Sequence, residues 1–598
     1  MCVLSEINSP KDIKQLNIEK LNTLADELRG EIIKVTAKNG GHLSSNLGIV
    51  ETTVALHHVF DFSSDKLIFD VGHQCYAHKL LSGRKDKFCT IRTANGLSGF
   101  PDREESEFDH FIAGHAGTSI AASLGYCEAR DKNSEDYFVI DVVGDGAIAN
   151  GLNLEALTLN GTKPKKYIVI LNDNGMSISK NKNGFYRFLS RHTTKRGYLS
   201  GKRALKKMFG TSFINRGLIR FRDFMKRVIN KSNHFENYGF KYVGVIDGND
   251  VKTMVSILNR VKEVAKEKAV FLHIKTTKGK GHKNAEEHAD LYHGVGVNLK
   301  CESGDFATAL GEKLNEFISE DKSVVALTAG MKDGTGLNIV EKENAKNFYD
   351  VGIAEELAVT MAAGMAAGGL KPYVAVYSTF MQRAYDQIIH DVCLQNLPVT
   401  FCLDRAGLVG KDGKTHQGVF DLSYLTHLPN MSVFAPNTTE ELKDILEYTK
   451  SINSPVAIRY PKNSVSGITL PPLKDGLWVT VKDGDGTAVI CVGPRMLKLA
   501  LDAANDDALI ISARSIKPLC EKTLEKLKGR KIIVLEENSV IGGFGAQILS
   551  FYSQQGYSTD VTCLGIKDSF VPHGDVYYQL ELNGLTVENV SKIIKGNA

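Results

Sequence analysis

The stretch Tyr137–Ala147 reads Tyr-Phe-Val-Ile-Asp-Val-Val-Gly-Asp-Gly-Ala. A short apolar run that ends in glycine is typical of a parallel strand buried on both faces. We therefore predict a strand over the first seven residues, followed by a loop that opens a helix. Gly144 and Gly146 let the backbone approach a phosphate closely, and the free N–H groups of a helix start favour an anion. Asp145 supplies a hard oxygen ligand of the kind that magnesium prefers.

A second apolar run, Tyr167–Leu171, leads into the polar residues Asn-Asp-Asn174. Because adjacent parallel strands end at the same edge of a sheet, Asn174 would bring an amide oxygen close to Asp145. A backbone carbonyl near Met176, two diphosphate oxygens and a water would complete an octahedral magnesium site. The alternative for Asn174 is a turn residue at the strand end. The spacing after two strands favours a metal site that holds a diphosphate.

Similar runs recur along the chain with helix-length segments between them, such as 354–367. This alternation of strand and helix predicts several open α/β domains, whose ligands lie beyond the carboxyl ends of the strands. The other runs are 399–403, 456–458, 488–492 and 531–535. Turn-rich stretches at 279–304 and 471–476 suggest the boundaries. We expect an N-terminal domain over 1–303, a second domain over 304–474 and a C-terminal domain over 475–598.

The composition of the 598 residues is that of an ordinary globular protein, with a net charge of +4, 42% hydrophobic and 24% charged residues. So small a net charge indicates no general affinity for nucleic acid or membranes. The ten cysteines are scattered singly, which favours reduced thiols over zinc or disulfides. The N-terminus has no apolar signal-like run, and no stretch of 18 apolar residues occurs. We therefore expect a cytoplasmic protein.

The segment 180–231 differs from the rest in carrying sixteen Lys and Arg and one acid, Asp223. Such a charge block usually belongs to a mobile, solvated surface segment. A functional anionic site is the other interpretation, and nucleic-acid binding is weakly supported because no recognisable module is present.

Glu355 is a candidate for acid–base chemistry, since it lies in Ile353-Ala-Glu at a predicted junction of loop and helix. Its apolar neighbours predict burial, which would raise its pKa. The other interpretation is an exposed glutamate stabilised by the helix dipole. Sequence position does not separate the two.

Taken together, nine motifs in one order resemble the 1-deoxy-D-xylulose-5-phosphate synthase family of transketolase-like thiamine diphosphate enzymes, over about residues 20–575. They are Gly40-Gly-His42, Asp70-Val-Gly-His73-Gln74, Gly144-Asp-Gly-Ala147, Leu171-Asn-Asp-Asn174, Ile353-Ala-Glu355, Tyr377-Ser-Thr-Phe-Met-Gln-Arg-Ala-Tyr-Asp386, Asp404-Arg-Ala-Gly407, Thr415-His-Gln-Gly418 and Arg459-Tyr-Pro461.

The resemblance implies condensation of pyruvate with D-glyceraldehyde 3-phosphate to 1-deoxy-D-xylulose 5-phosphate and CO2, which feeds isoprenoid, thiamine and pyridoxal precursor synthesis. It also implies a homodimer, two domains of the thiamine-diphosphate-binding type, a C-terminal transketolase-type domain, and an active site between the first two domains.

The resemblance further assigns roles to individual residues. Magnesium would be bound by Asp145, Asn174 and Met176. The thiamine diphosphate would contact His73, Gly114, His115, Ala116, Gly146, Ala147, Asn174, His282, Glu355, Phe380 and Arg383. Substrate would contact Arg92, Tyr377, Arg405, Asp412 and Arg459, the arginines giving charge-assisted bonds to phosphate. Catalysis would involve Glu355 with His42, His73, His293 and His416, because histidine titrates near neutrality.

Three departures from the family pattern indicate a divergent member. The family's Gly-His-Ser-Ser-Thr-Ser is Gly-His-Ala116-Gly117-Thr-Ser here, which removes two hydroxyls near the diphosphate. A family tyrosine is His282, and Arg-Tyr-Pro-Arg-Gly ends in Lys462-Asn463. The alternatives are ketol transfer between sugar phosphates, as in a transketolase, and a homologue that kept the fold without catalysis.

Overall fold

The structure is a computed structural model that describes residues 2–159, 165–175, 234–300, 304–473 and 476–596. The predicted basic segment 180–231 and Met176 lie outside these residues. The chain divides into two compact units, of which the first contains 1–91 and 99–301 and the second contains 92–98 and 302–598. Residues 92–98 thus group with the second unit, although the expected N-terminal domain included them.

The first unit is built on a five-stranded parallel sheet in the order β1-β2-β3-β5-β4. Its strands are β1 Lys66–Phe69, β2 Val139–Gly144, β3 Tyr167–Asp173, β4 Lys241–Asp247 and β5 Val270–Lys275. Every residue of β3 is buried, as expected of a strand covered by helices on both faces. Because β2 and β3 are neighbours, Gly144 pairs with Asn172 and the two predicted loops leave the sheet side by side.

The described helices of the first unit pack around this sheet. They are α1 Val3–Glu6, α2 Ile18–Asn39, α3 Ser44–Gly48, α4 Val50–Val59, α5 Tyr76–Lys79, α6 Ser119–Lys132, α7 Gly151–Leu159, α8 His234–Asn237, α9 Val251–Ala265 and α10 Lys283–Glu287.

The second unit contains two sheets. The larger has the order β15-β10-β11-β9-β8-β6-β7, and the smaller has the order β12-β14-β13-β16-β17. The strands are β6 Val324–Thr328, β7 Phe348–Asp350, β8 Lys371–Tyr377, β9 Thr400–Asp404, β10 Ser432–Phe434, β11 Val456–Arg459, β12 Trp478–Lys482, β13 Ala488–Cys491, β14 Leu509–Ala513, β15 Ser515–Lys517, β16 Ile532–Ser539 and β17 Val561–Ile566.

The two sheets are joined by β15, which follows β14 of the smaller sheet but pairs antiparallel with β10 of the larger one. The described helices of this unit are α11 Asp305–Glu320, α12 Asn338–Glu343, α13 Glu355–Ala367, α14 Ser378–Met381, α15 Tyr385–Gln387, α16 Asp421–Leu425, α17 Thr439–Thr449, α18 Pro494–Ala503, α19 Glu521–Lys526, α20 Phe544–Gln554, α21 Val576–Leu582 and α22 Val587–Ile594.

The predicted fold class is confirmed: three sheets, mostly parallel, each with helices around it. The predicted strands are present, with ends shifted by a few residues, and the segment 354–367 is helix α13. Within the described ranges, no helix is both long and apolar enough to span a bilayer. The exact limits of the three domains stay a prediction.

Candidate active site

The carboxyl ends of β2 and β3 bring Asp145 and Asn174 together. The Asp145 Oδ2 accepts hydrogen bonds from the backbone N–H of Asn174 at 3.3 Å and of Gly175 at 2.8 Å. Its Oδ1 accepts the N–H of Gly146 at 2.8 Å. One carboxylate therefore holds the loop after each strand, because parallel neighbours place their C-terminal loops side by side.

Burial raises the pKa of the Asp145 carboxyl to about 7, and the charge of Asp173 adds to that rise. The ammonium group of Lys278 acts in the opposite direction. Lys278 is itself 6% exposed, and burial lowers its pKa to about 8. A buried carboxylate of this kind is stabilised by a nearby cation, and a bound metal ion would serve that purpose.

The oxygen donors at this edge fit magnesium. Asp145 offers a carboxylate, and Asn174 carries an amide oxygen on the neighbouring loop; both are hard ligands. Over the described residues, no group of three or more His, Cys, Asp or Glu side chains is arranged to hold a metal ion, so a magnesium site here would rely on Asp145 together with amide and backbone oxygens. The third predicted ligand, Met176, lies outside the described residues.

Three of the predicted histidines form a cluster in the first unit. The ring centroids of His42, His73 and His293 lie 5.0–5.7 Å apart. Burial lowers the pKa of His293 well below its usual value, and the charges of Lys278 and the other two rings add to this. His293 is therefore neutral at physiological pH, which suits a group that accepts or relays a proton.

The remaining first-unit candidates lie on loops. Gly114, Ala116 and Ala147 are buried, and His115 is half-buried. The His282 Nδ1 accepts the N–H of Ala285 at 3.2 Å and so caps α10. The imidazole that replaces the family's tyrosine thus has a structural role that accounts for its position.

Glu355 is the first residue of α13 and is 1% exposed. Burial raises its pKa, as predicted from its apolar neighbours, while Arg383 opposes the rise. The Arg383 Nη1 donates to the Glu355 Oε2 at 2.9 Å. The interpretation as an exposed helix-start glutamate is therefore wrong, and Arg383, predicted to contact the cofactor, orients the Glu355 carboxylate.

Four predicted residues form an aromatic and cationic cluster in the second unit. The Phe380 ring stacks on Tyr377 at 5.9 Å between centroids and meets the edge of His416 at 5.4 Å. The Arg405 guanidinium lies 3.8 Å from the centroid of the Tyr377 ring, a cation–π contact. Burial lowers the pKa of His416, and Asp412 opposes the shift.

The other substrate candidates of the second unit, Arg92, Asp412 and Arg459, form ion pairs within that unit. Arg92 forms an ion pair with Asp412 within the second unit. The Arg459 Nε pairs with the Asp421 carboxylate at 3.0 Å, and its Nη2 donates to two backbone carbonyls, those of Gly418 and Glu537. Arg459 is 5% exposed, and the Asp421 carboxylate and the two carbonyls together compensate the burial of its guanidinium.

The residues of the first unit and those of the second thus form two sets, each within its own unit. Two buried residues in the first set received no role from the sequence. The first is Lys278, whose positive charge lowers the pKa of Asp145. The second is Asn46, whose Nδ2 donates to the backbone carbonyls of His42 at 2.6 Å and His73 at 2.7 Å. The glycine-rich stretch Lys278-Gly-Lys-Gly281 could have indicated Lys278 from the sequence, whereas no local pattern distinguishes Asn46.

Family models match the chain in three consecutive parts. A model described as 1-deoxy-D-xylulose-5-phosphate synthase matches residues 4–276. Models described as the pyrimidine binding domain and the C-terminal domain of transketolase match 302–467 and 476–590. Fold and models together define a transketolase-like α/β protein with three domains.

Curated relatives narrow this class. The 1-deoxy-D-xylulose-5-phosphate synthase of Clostridium tetani is 46% identical, over 97% of this chain and 97% of its own length. Those of Carboxydothermus hydrogenoformans and Clostridium perfringens are 46% and 43% identical, over 98% and 99% of both chains. The chain belongs to the 1-deoxy-D-xylulose-5-phosphate synthase family. Among solved structures, a transketolase from Campylobacter jejuni is similar over 97% of this chain and 100% of its own, at 18% identity and a TM-score of 0.43.

Proposed function

We propose that the protein condenses pyruvate with D-glyceraldehyde 3-phosphate, with thiamine diphosphate and Mg2+, and releases CO2. The names of relatives that match the whole chain favour this synthase over a transketolase acting on sugar phosphates. The observation that carries the proposal is Glu355, buried at the start of α13 with a raised pKa and held by Arg383.

The first unit supplies the proposed metal and diphosphate site. Asp145 and Asn174 would hold Mg2+, and the glycine-rich loops would present backbone N–H groups to the diphosphate. Loops after parallel strands suit this purpose because they approach an anion closely without a side chain in between.

The second unit supplies the proposed acid. Thiamine diphosphate, when bound, provides the electron sink that lets pyruvate lose CO2 and join its remaining carbons to an aldehyde. Glu355 would donate a hydrogen bond to the aminopyrimidine ring, because its raised pKa keeps the carboxyl protonated over a wider pH range. Arg383 limits that shift and fixes the direction of the carboxyl.

Proton transfer is proposed for the buried histidines. The ring centroids of His42, His73 and His293 lie 5.0–5.7 Å apart, and burial keeps His293 neutral. Neutral imidazoles accept a proton from a substrate hydroxyl at physiological pH. His416, which contacts Phe380, is the corresponding candidate in the second unit.

For the acceptor phosphate we propose Arg405 with Tyr377. The Arg405 side chain is 18% exposed and is oriented by the Tyr377 ring, Asp404 and the carbonyl of Gly334. Both arginines are paired with an aspartate, but Arg459 has less support as a second phosphate ligand, since its side chain is 5% exposed against 18% for Arg405. A homodimer stays a prediction; the apolar side chains Leu357 on α13 and Leu159 on α7 are 54% and 73% exposed and offer surface for it. The cytoplasmic location likewise remains a prediction.

A product assay tests the proposed reaction. Purified protein is supplied with pyruvate and D-glyceraldehyde 3-phosphate, with and without thiamine diphosphate and Mg2+, and CO2 and the sugar product are measured by trapping and NMR. We expect both products only when cofactor and metal are present. Product from a ketose phosphate donor without CO2 release would instead indicate a transketolase.

The Asp145→Ala variant tests the metal site by calorimetry. We expect no measurable binding of thiamine diphosphate in the presence of Mg2+, because the carboxylate that accepts hydrogen bonds from both loops is removed. Cofactor affinity equal to that of the unchanged protein would contradict this assignment.

A further inference from the structure

Asp70 is a buried carboxylate, 1% exposed, at the residue that follows β1. The mechanism described above gives it no role. Its two oxygens accept hydrogen bonds from four groups, which belong to two different segments of the chain. A carboxylate is costly to bury unless hydrogen-bond donors surround it, and these four donors offset that cost while tying their segments to Asp70.

The first group of donors lies in the loop that contains Gly114, His115 and Ala116. The N–H of Gly117 donates to Oδ1 of Asp70 at 2.9 Å and to Oδ2 at 3.1 Å. The N–H and the hydroxyl of Ser119 donate to Oδ2 at 3.2 Å and 2.8 Å.

The second segment is reached through Asn153 on α7. Its Nδ2 donates to Oδ2 of Asp70 at 3.1 Å and also to the carbonyl of Ala147 at 3.0 Å. One amide group therefore links the Asp70 carboxylate to the Gly146–Ala147 loop. Asp70 is also only three residues before His73, in a turn where Val71 has a φ of 60°, a strained conformation for a β-branched residue.

We propose that Asp70 is a positioning residue that fixes two loops relative to each other before the cofactor binds: the loop that contains Gly114 and the loop that contains Gly146, together called the diphosphate loops. The proposal rests on the proposed function, which gives those loops to thiamine diphosphate. Asp70 acts on the cofactor through backbone N–H groups and Asn153. Without the Asp70 carboxylate, the two loops are free to move relative to each other. Only a fraction of the molecules then has the loops in the conformation that binds the cofactor, and the apparent affinity for the cofactor falls by that fraction.

The Asp70→Asn variant is the direct test. The amide keeps the size of the side chain, but its Nδ2 faces N–H donors where a carboxylate oxygen stood. We expect the Kd for thiamine diphosphate with Mg2+, measured by calorimetry, to rise about tenfold or more. At saturating cofactor, kcat should change little, because no reacting group is removed.

The chain offers a matched control at the other end of the same strand. Asp65, 5% exposed, directly precedes β1 and accepts the N–H of Phe138 at 2.9 Å and of Asp61 at 3.0 Å. Asp65→Asn changes a similarly buried carboxylate that accepts backbone N–H groups, at the end of β1 that lies away from the diphosphate loops. It should lower thermal stability to a similar extent and leave the Kd for the cofactor unchanged.

Two further measurements keep the test decisive. Amide hydrogen exchange in cofactor-free protein should become faster at 114–119 and 146–150 in Asp70→Asn, but not in Asp65→Asn. If Asp70→Asn does not fold, Ser119→Ala removes one donor to Asp70 and should raise the Kd a few-fold. The positioning role is overturned if the folded Asp70 or Ser119 variant binds the cofactor with an unchanged Kd. It is also overturned if Asp65→Asn raises the Kd for the cofactor by as much as Asp70→Asn does. If the unchanged protein fails to bind thiamine diphosphate, the proposed function itself fails, and the inference with it.

Discussion

Restoring the family's serine at position 117 should harm this protein. Gly117 has a φ of +90°, in the region that favours glycine, and a Cβ built on it would lie 2.2 Å from the Asn150 Oδ1. That oxygen accepts the N–H of Leu152 at the start of α7. Gly117→Ser therefore imposes an unfavourable backbone conformation and displaces a side chain that caps a helix.

The magnitude follows from those two effects. A residue other than glycine in a sparsely populated backbone region costs of the order of 1–3 kcal/mol. Loss of a helix N-terminal cap adds about 0.5–2 kcal/mol. We expect the free energy of unfolding to fall by about 1.5–5 kcal/mol, which lowers the melting temperature by roughly 3–20 °C at about 2–4 °C per kcal/mol.

Urea unfolding and thermal melting of the cofactor-free protein measure the effect. Gly125→Ser is the control, because Gly125 lies on α6 with no atom within 4 Å of a built Cβ. It should change stability by less than about 0.5 kcal/mol. In an Asn150→Ala background, Gly117→Ser should cost only the part that arises from φ, because the clash and the cap are already absent there. A Gly117→Ser protein as stable as the unchanged one would refute the reasoning.

Four further predictions concern catalysis, substrate binding, stability and pH. Glu355→Ala should slow hydrogen–deuterium exchange at C2 of the bound cofactor, followed by NMR, by about 100-fold or more, whereas Glu356→Ala should not. Arg405→Ala should lower kcat/KM for D-glyceraldehyde 3-phosphate about ten- to hundred-fold, and unphosphorylated D-glyceraldehyde much less; an equal loss for both would exclude a phosphate contact. Arg459→Ala should instead lower the free energy of unfolding by about 3–5 kcal/mol, seen by urea unfolding, because it leaves a buried partner carboxylate unpaired. Burial raises the pKa of Glu536 from 4.5 to about 7. Because the folded state binds this proton more tightly than the unfolded state, protonated Glu536 contributes to folding stability below pH 4.5. That contribution, about 3 kcal/mol, is lost as the pH rises to 7. Glu536→Gln should flatten that part of a stability curve measured between pH 4 and 8.

The arrangement at the β2 and β3 ends could be predicted from local sequence. An apolar run that ends in Gly-Asp-Gly predicts a buried strand and a phosphate-binding loop, and a second such run supplies its neighbour. The structure confirms that Asp145 and Asn174 lie on adjacent loops. The prediction succeeded because strand pairing and loop position depend mainly on short-range patterns.

The partners of charged side chains could not be predicted in this way. The sequence did not indicate that Arg459 pairs with Asp421, 38 residues earlier in the chain, and its expected contact with a substrate phosphate stays a prediction. Glu355 was left open between a buried acid and an exposed helix start, and only the packing around α13, with Arg383 beside it, decided for burial.

The sequence by itself determined the α/β class and the family, and it predicted the residue types of the candidate site, because these depend on periodicity and on motifs of a few residues. Only the tertiary structure decided which carboxylate holds which loop. Asp70, Gly117 and Asn153 are 47 and 36 residues apart in succession, and no local pattern connects them. They meet because β1, the loop before α6 and α7 converge at one edge of the sheet, and a buried carboxylate there must find donors wherever the fold places them.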